Sequence, residues 1–388
     1  MPGARDGLVS LGVLGGGQLG RMFVHAAQQL GFGTVVLDPD AGSPAGQVAQ
    51  HQVCTAYDDK SGLASLAALA AAVSTEFENV PADALRLLAA RVPVAPAADA
   101  VAVCQHRARE KAFFARAGVP CAPFASISAA SDLDSVPASL FPGLLKTATL
   151  GYDGKGQQTV LAASALAAAW AALGHAPCVL ERRLALQVEF SVIVARGGDG
   201  SCVHLPVQQN LHRGGILAVT QVPAPDVPAE VAAQAIAAAQ RIAAALDYVG
   251  VLCVEFFLLA DGRLVANEMA PRPHNSGHYS LDACDCSQFE LQVRTLAGLP
   301  LVPPRLHSPA VMLNLLGELW FPDGAGAPAR TPDWATVLAL PGARLHLYGK
   351  AQARPGRKMG HLNLVGPDAA SVRDTALQAC RLLGLPPY

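Results

Sequence analysis

"VGVLCVEFFLLADGRLVANEMAPR", residues 249–272, carries the reading on which the rest of this sequence turns. Two apolar, β-branched runs flank Asp261-Gly262, the composition of a β-hairpin. If those two residues form the turn, Glu255 stands opposite Glu268 on one face, with Cβ atoms about 5 Å apart. Carboxylates so placed in apolar strands repel unless a cation lies between them, and hard oxygen donors favour magnesium over zinc. An extra residue in the turn would break this register and send one Glu toward solvent. Asn267 beside Glu268, and the polar "APRPHNSGH" at 270–278, supply further groups for anions and metal and support the metal reading.

Upstream, "LGYDGKGQ" at 150–157 places three glycines, Lys155 and Asp153 between two strand-like runs. Backbone N–H groups and a lysine in such a loop can close over phosphates as a flap. Lys146, on the strand leading in, adds a second cation, so the pattern points to a bound triphosphate. Downstream, "RPGRKMGHLN" at 354–363 crowds Arg354, Arg357 and Lys358 around a Pro-Gly turn, a possible anion site as much as a solvated charge run.

At the N-terminus, "GVLGGGQLGRM" (12–22) has Gly15, Gly17 and Gly20 in G-x-G-x-x-G spacing, and "TVVLD" ends in Asp38. Alone this spells a dinucleotide fold and an NAD-dependent oxidoreductase. Such an enzyme has no use for paired glutamates on a distant hairpin. Glu76 and Glu78 in "STEFENVP" (74–81) sit where a strand of a doubly wound sheet ends, and Glu78 is the better helix-start acid.

Strand and helix alternate through about residue 100, with a helix expected over 18–30, which implies a parallel sheet. A further helix is expected over 100–117, stopped by Gly118 and Pro120, and another over 228–246. "RVPVAPAAD" (91–99) reads as a boundary and "LPLVPPRLHSP" (299–309) as a linker. The expected division is 1–104, a doubly wound α/β domain; 105–300, an α+β domain with a flap near 150–157; and 301–388, a small mixed domain.

The chain has 388 residues, 52% of them hydrophobic, enough for two or three cores. With 28 basic and 30 acidic residues it carries no charge excess for nucleic acid. The nine cysteines include no C-x-x-C pair, which suits reduced thiols of the cytoplasm. The alanine-rich stretches at 63–73 and 162–173 are too short to cross a bilayer and read as packed helices, so no membrane partner is expected.

Taken in order, "GGGQLGRM", "LDP" (37–39), "EFENVP", "GYDGKGQ", "HRGGIL" (212–217), "NEMAPRPHNSGH" and "RPGRKMGHLN" resemble the 5-(carboxyamino)imidazole ribonucleotide synthases, ATP-grasp enzymes of purine biosynthesis. The resemblance runs over nearly the whole chain. It implies an ATP-grasp architecture: a doubly wound pre-ATP-grasp domain, a two-part central domain and a small C-terminal domain. It also implies a reaction in which ATP, bicarbonate and aminoimidazole ribonucleotide give the N-carboxylated ribonucleotide, ADP and phosphate through carboxyphosphate. Another ATP-grasp ligase with a different acceptor shares the ATP site.

By the same resemblance, Arg107, Lys146, the loop Gly151, Tyr152, Asp153, Gly154, Lys155, Gly156 and Gln157, then Glu181, Arg182, Arg183, Leu184, Glu189, His212 and Asn267 contact ATP. Glu255 and Glu268 hold magnesium, in agreement with the hairpin. Arg272, His274, Asn275 and Ser276 face bicarbonate and the imidazole. Gln18, Leu19, Glu76, Lys350, Arg357 and Lys358 serve the ribonucleotide, with "GGGQLG" facing its phosphate and ribose. Tyr152, Asp153, Lys155 and Arg272 are the implied catalytic group, Asp153 as proton acceptor, and a homodimer is implied. Thr75, where an aromatic is common, and "KTATL" (146–150), which lacks an arginine often present, depart from the family pattern.

Overall fold

The computed structural model describes residues 4–5, 8–151, 156–324 and 326–388. Parallel strands Leu8–Leu14, Gly33–Leu37, His51–Val53 and Ala72–Thr75 build the first sheet, with Leu8–Leu14 between the second and the last. Full burial of Gly33–Leu37 explains its mainly apolar sequence, since helices cover both faces, and the one polar side chain, Thr34, bonds Gln50. Helices Lys60–Leu69 and Ala82–Ala89 pack one face through Leu66, Leu85 and Leu88. Helix Gln18–Gln29 packs the other, joined there by Phe289 and Val293 of helix Gln288–Ala297. Gln292 on that second helix donates to Ser74 Oγ at 3.0 Å. This cross-packing ties the first sheet to the rest of the chain.

A four-stranded antiparallel sheet follows, in the order Phe124–Ile127, Cys178–Arg182, Gly143–Thr147, Gln157–Val160. The largest sheet has nine antiparallel strands, including the hairpin Gly250–Leu259 and Leu264–Ala270, the long strand Leu186–Arg196, and the pair Gln208–Arg213 and Ile216–Val222. It continues across the proline-rich 299–309 segment, because Ile216–Val222 pairs with Ala310–Leu316, which in turn pairs with Lys358–Val365. Strands on both sides of residue 300 therefore share one sheet. Helix Ala229–Ala245 covers this sheet with Ala235, Ala239 and Ile242, where small side chains allow close approach to Phe190 and Val254. No helix among the described residues is long and apolar enough to cross a membrane.

Two sequence expectations are corrected here. The helix expected over 100–117 is two helices, Ala98–Cys104 and Arg107–Arg116, because His106 takes an extended conformation between them. The break is held by Gln105, which donates to Glu78 O and Val80 O at 2.7 Å, and it starts the second helix at Arg107.

The hairpin turn is the second. Leu259 N donates to Arg263 O, so the loop has three residues, closed by Gly262 at φ +82°. That shifts the pairing by one, to Leu258 with Leu264 and Phe256 with Ala266. A β-bulge then restores the original register, and Val254 faces Met269. Across the bulge Glu255 faces both Asn267 and Glu268.

Candidate active site

A cleft of about 450 Å³ opens where the first sheet, the helix break and the hairpin meet. It gathers Gln18 and Leu19 from the start of helix Gln18–Gln29, Glu76 from just after strand Ala72–Thr75, Arg107 from the break, and Gly151. Glu255, Glu268, Arg272, His274, Asn275 and Lys358 complete it from the large sheet. Eleven residues expected at the site thus line one cavity, although they come from segments more than 300 positions apart.

The glycine loop differs from its expected role. Glu76 accepts from Gly17 N at 2.5 Å and Gly20 N at 2.6 Å, and Asp38 accepts from Gly16 N at 2.6 Å. The helix N-terminus that seats a pyrophosphate in a dinucleotide fold is here filled by the chain's own carboxylates. A Cβ at Gly17 would collide with the Glu76 carboxylate, which is why glycine stands there. The amides of Gly15, Gly16, Gly17 and Gly20 are therefore already engaged, while Gln18 and Leu19, which open the helix, line the cleft, and the NAD reading loses its anchor.

Glu78 is also corrected. It is not a helix-start acid, since the next helix begins at Ala82 with Asp83 in its first turn. Its carboxylate instead grips Arg272 at two points, Nη2 to Oε1 at 3.0 Å and Nε to Oε2. Burial alone would raise its pKa, but the Arg272 guanidinium overrides it and holds the carboxyl low. The strand-end position shared with Glu76 was the available signal.

At the hairpin, Arg107 Nη1 reaches Glu268 Oε2 at 2.9 Å and its Nη2 donates to Gly151 O at 3.0 Å. Burial and the charge of Glu268 push the Glu255 carboxyl up, while Arg107 and Lys146 outweigh burial and hold Glu268 down. Two carboxylates that perturb each other in this way fit a bound dication. Magnesium takes few protein ligands and keeps waters and phosphate oxygens. Glu255, Glu268 and the adjoining Asn267 are the residues able to hold it.

His274 is pinned from every side. Its backbone N donates to Gln288 Oε1 at 2.9 Å and its carbonyl accepts from Gln288 Nε2 at 2.8 Å. Its Nδ1 lies 2.8 Å from Ser276 Oγ and its Nε2 3.3 Å from Glu255 Oε1. Burial, Arg272 and Lys358 push its pKa down to about 3, so the ring is neutral. Among the described residues neither polar atom of buried Asn275 has a protein partner. An unsatisfied amide in a cleft is a group waiting for a ligand.

Other expected residues lie beside the cavity rather than on it. Lys146 meets Glu181 at 3.0 Å, and Lys111, 1% exposed, reaches the other oxygen at 3.2 Å. Glu189 and His212 form a pair at 2.6 Å in which the carboxylates raise the imidazole pKa against burial. Gln157 begins strand Gln157–Val160, and Gly156 is the turn residue just before it. Arg182 and Arg183 are exposed, and Leu184 lines a separate apolar cavity of about 660 Å³. Ser276 is buried behind His274. Lys350 donates to Lys358 O at 2.7 Å, and Arg357 to Gln352 O at 2.8 Å. Tyr152, Asp153, Gly154 and Lys155 lie outside the described residues.

Besides Glu78, sequence reasoning missed Lys111 and Glu110. The buried Glu110 carboxyl accepts from Met269 N at 2.6 Å and is pushed up to about 8 by burial and by Glu268. Between its ordinary value near 4.5 and about 8, the folded protein keeps a proton that the unfolded chain releases. Stability therefore falls as pH rises through that window, by at most about 1.4 kcal/mol per pH unit. Glu110→Gln, which still accepts the Met269 N–H, is expected to flatten this slope in thermal melts between pH 5 and 8. An unchanged slope would place the titrating proton elsewhere.

Comparison with known proteins bears on the same residues. The chain matches the ribonucleotide synthetase preATP-grasp domain over residues 8–105, the ATP-grasp domain over 112–289 and the phosphoribosylaminoimidazole carboxylase C-terminal domain over 310–375. It is 44% identical to the N5-carboxyaminoimidazole ribonucleotide synthase of Brucella melitensis, covering 92% of this chain and 96% of that one. Identity to the Bacillus subtilis enzyme of the same name is 38%, over 92% and 91% of the two chains. Among solved structures, the N5-carboxyaminoimidazole synthase of Aspergillus clavatus in complex with ADP and 5-aminoimidazole ribonucleotide superposes with a TM-score of 0.88. It shares 30% identity over 97% of this chain and 99% of that one.

Proposed function

Because this chain belongs to the N5-carboxyaminoimidazole ribonucleotide synthase family, we infer that it carries out that family's reaction. ATP and bicarbonate carboxylate the exocyclic amine of 5-aminoimidazole ribonucleotide, releasing ADP and phosphate, in purine biosynthesis. The observation that carries this reading is the convergence in one cleft of a carboxylate pair, a two-point-held arginine and an unsatisfied amide.

ATP lies on the side of Lys146, Glu181 and Glu189, with Arg107 beside its phosphates. Magnesium between Glu255 and Glu268 would neutralise phosphate oxygens as charge shifts to the leaving ADP. Arg272, kept in place by Glu78, and Asn275 hold the bicarbonate-derived carboxyl group near the amine. Lys350, Arg357 and Lys358 take the phosphate of the ribonucleotide. Asp153, outside the described residues, is the amine-proton acceptor that the family resemblance implies, and keeping water from the cleft would protect carboxyphosphate. A homodimer, a cytoplasmic location and a three-part division near residues 104 and 300 belong to the same proposal.

Phosphate release from ATP with magnesium and bicarbonate, with and without aminoimidazole ribonucleotide, tests it when labelled bicarbonate is followed into the nucleotide. Strong stimulation by ribonucleotide together with label in the product is expected. Turnover indifferent to the ribonucleotide would move the reaction to another acceptor.

A further inference from the structure

The cleft holds a second imidazole, His278, which the short turn Asn275–Gly277 brings to the same wall as His274. Its ring packs against Phe289 and His361, with centroids 5.7 and 4.7 Å away, and only 1% of the residue is exposed. What orients it is Gln288, the first residue of helix Gln288–Ala297. A Cβ on Gly277 would collide with Gln288 Oε1, so glycine is needed there for the amide to come this close.

The Gln288 amide can lie only one way round. Its Oε1 receives the His274 backbone N–H at 2.9 Å and its Nε2 donates to the His274 carbonyl at 2.8 Å, so a backbone donor and a backbone acceptor fix the two ends independently. Gln288 Nε2 also meets His278 Nδ1 at 3.0 Å. An NH2 group only donates, so this Nδ1 accepts and carries no proton. Burial, then the neighbouring imidazoles His274 and His346, then Lys358 and Arg272, hold the His278 pKa well below the usual histidine value. The ring is therefore neutral, and its one proton sits on Nε2.

Among the described residues no protein group accepts that proton. His361 Nε2 is sealed in the interior without a partner, but His278 Nε2 is not, so it opens to the cleft that the ring lines. Charge tells which end of the cleft it serves. Arg272 bears on His274 more strongly than Lys358 does, whereas on His278 Lys358 is the stronger of the two.

We propose that His278 is a further substrate-binding residue, whose Nε2–H, aimed by Gln288, donates to a phosphate-monoester oxygen beside Lys358. A neutral donor there adds direction to the charge that the lysine supplies, and an ionised phosphate oxygen accepts such a bond strongly. That the phosphate is the ribonucleotide's rests on the proposed function, whereas the donor and its orientation do not.

The test follows the His278 ring in the full chain by two-bond proton–nitrogen NMR, its signals assigned through the backbone, as aminoimidazole ribonucleotide, inorganic phosphate or bicarbonate is added. A protonated Nε2 and a bare Nδ1 are expected. Ribonucleotide and inorganic phosphate are each expected to shift the Nε2 signal, and bicarbonate to leave it in place. His278→Asn puts an amide oxygen near the Nδ1 position, where it can still accept from Gln288, and leaves nothing at Nε2. Its KM for ribonucleotide is expected to rise about tenfold, with KM for ATP and for bicarbonate held within about twofold, since one hydrogen bond to a charged group is lost. His278→Gln, whose amide nitrogen reaches the Nε2 position, is expected to recover part of that loss. Should His278→Asn not fold, the wild-type titration decides the matter. A bare Nε2, an Nε2 signal moved by bicarbonate alone or by none of the three, or a folded His278→Asn with the wild-type KM for ribonucleotide would overturn the proposal. A wild type whose Nε2 signal answers to inorganic phosphate but which shows no ribonucleotide-dependent turnover would uphold the donor and sink the functional reading instead.

Discussion

Glu268→Ala is expected to lower magnesium-dependent ATP turnover on the order of 10³-fold, corresponding to about 4 kcal/mol of lost transition-state charge stabilisation, while the protein stays folded. The activity loss follows from the bulge, which sets Glu268 and Asn267 together against Glu255. With one carboxylate gone, Glu255 alone is a poor site for a dication, since burial still opposes its charge even though the push from Glu268 is removed. The fold is expected to survive because the Glu268 side chain is 41% exposed and its partner Arg107 keeps the Gly151 carbonyl. Glu268→Gln tests charge apart from shape, since its amide oxygen can still accept from Arg107. Phosphate release titrated with magnesium, read beside a thermal melt, checks both halves. Near-normal turnover in a folded variant would remove Glu268 from the metal site.

Glu78→Ala is expected to cost about 3 kcal/mol of stability, because it strands the Arg272 charge in a largely buried place. The two side chains are only 17% and 26% exposed, so solvent does little to compensate. The freed guanidinium also loses its fixed plane. Since small misplacements of a substrate-holding group are costly, kcat/KM for bicarbonate is expected to fall on the order of 10²-fold. Glu78→Gln, with one acceptor left, should sit between wild type and Glu78→Ala. In the folded state Arg272 holds the Glu78 carboxyl low, so its contribution is present above the ordinary carboxylate pKa near 4.5 and fades as pH falls. Melts across pH 3 to 6 together with bicarbonate kinetics check this. A lower Tm with unchanged kinetics would make the pair purely structural.

The parallel first sheet was legible because buried strands such as Gly33–Leu37 are mainly apolar and alternate with helices. The break at Gln105–His106 was not legible, since nothing in the local sequence forbids a continuous helix and the carbonyls that hold Gln105 belong to residues 78 and 80. Glu78 was misassigned for a similar reason. Its partner Arg272 lies 194 positions away, and short-range rules offered only a helix start.

The sequence by itself determined the element types and placed Glu255 and Glu268 on one hairpin, because periodicity and turn chemistry act over a few residues, whereas most groups of the site were named by resemblance to a family. Only the tertiary structure decided how that facing is reached, through a three-residue turn offset by a bulge. It alone decided that Glu76 fills the glycine loop and that Glu78 owns Arg272. Each depends on which distant donor and acceptor arrive at the same buried point, and the need to satisfy buried polar groups binds only after the chain has packed.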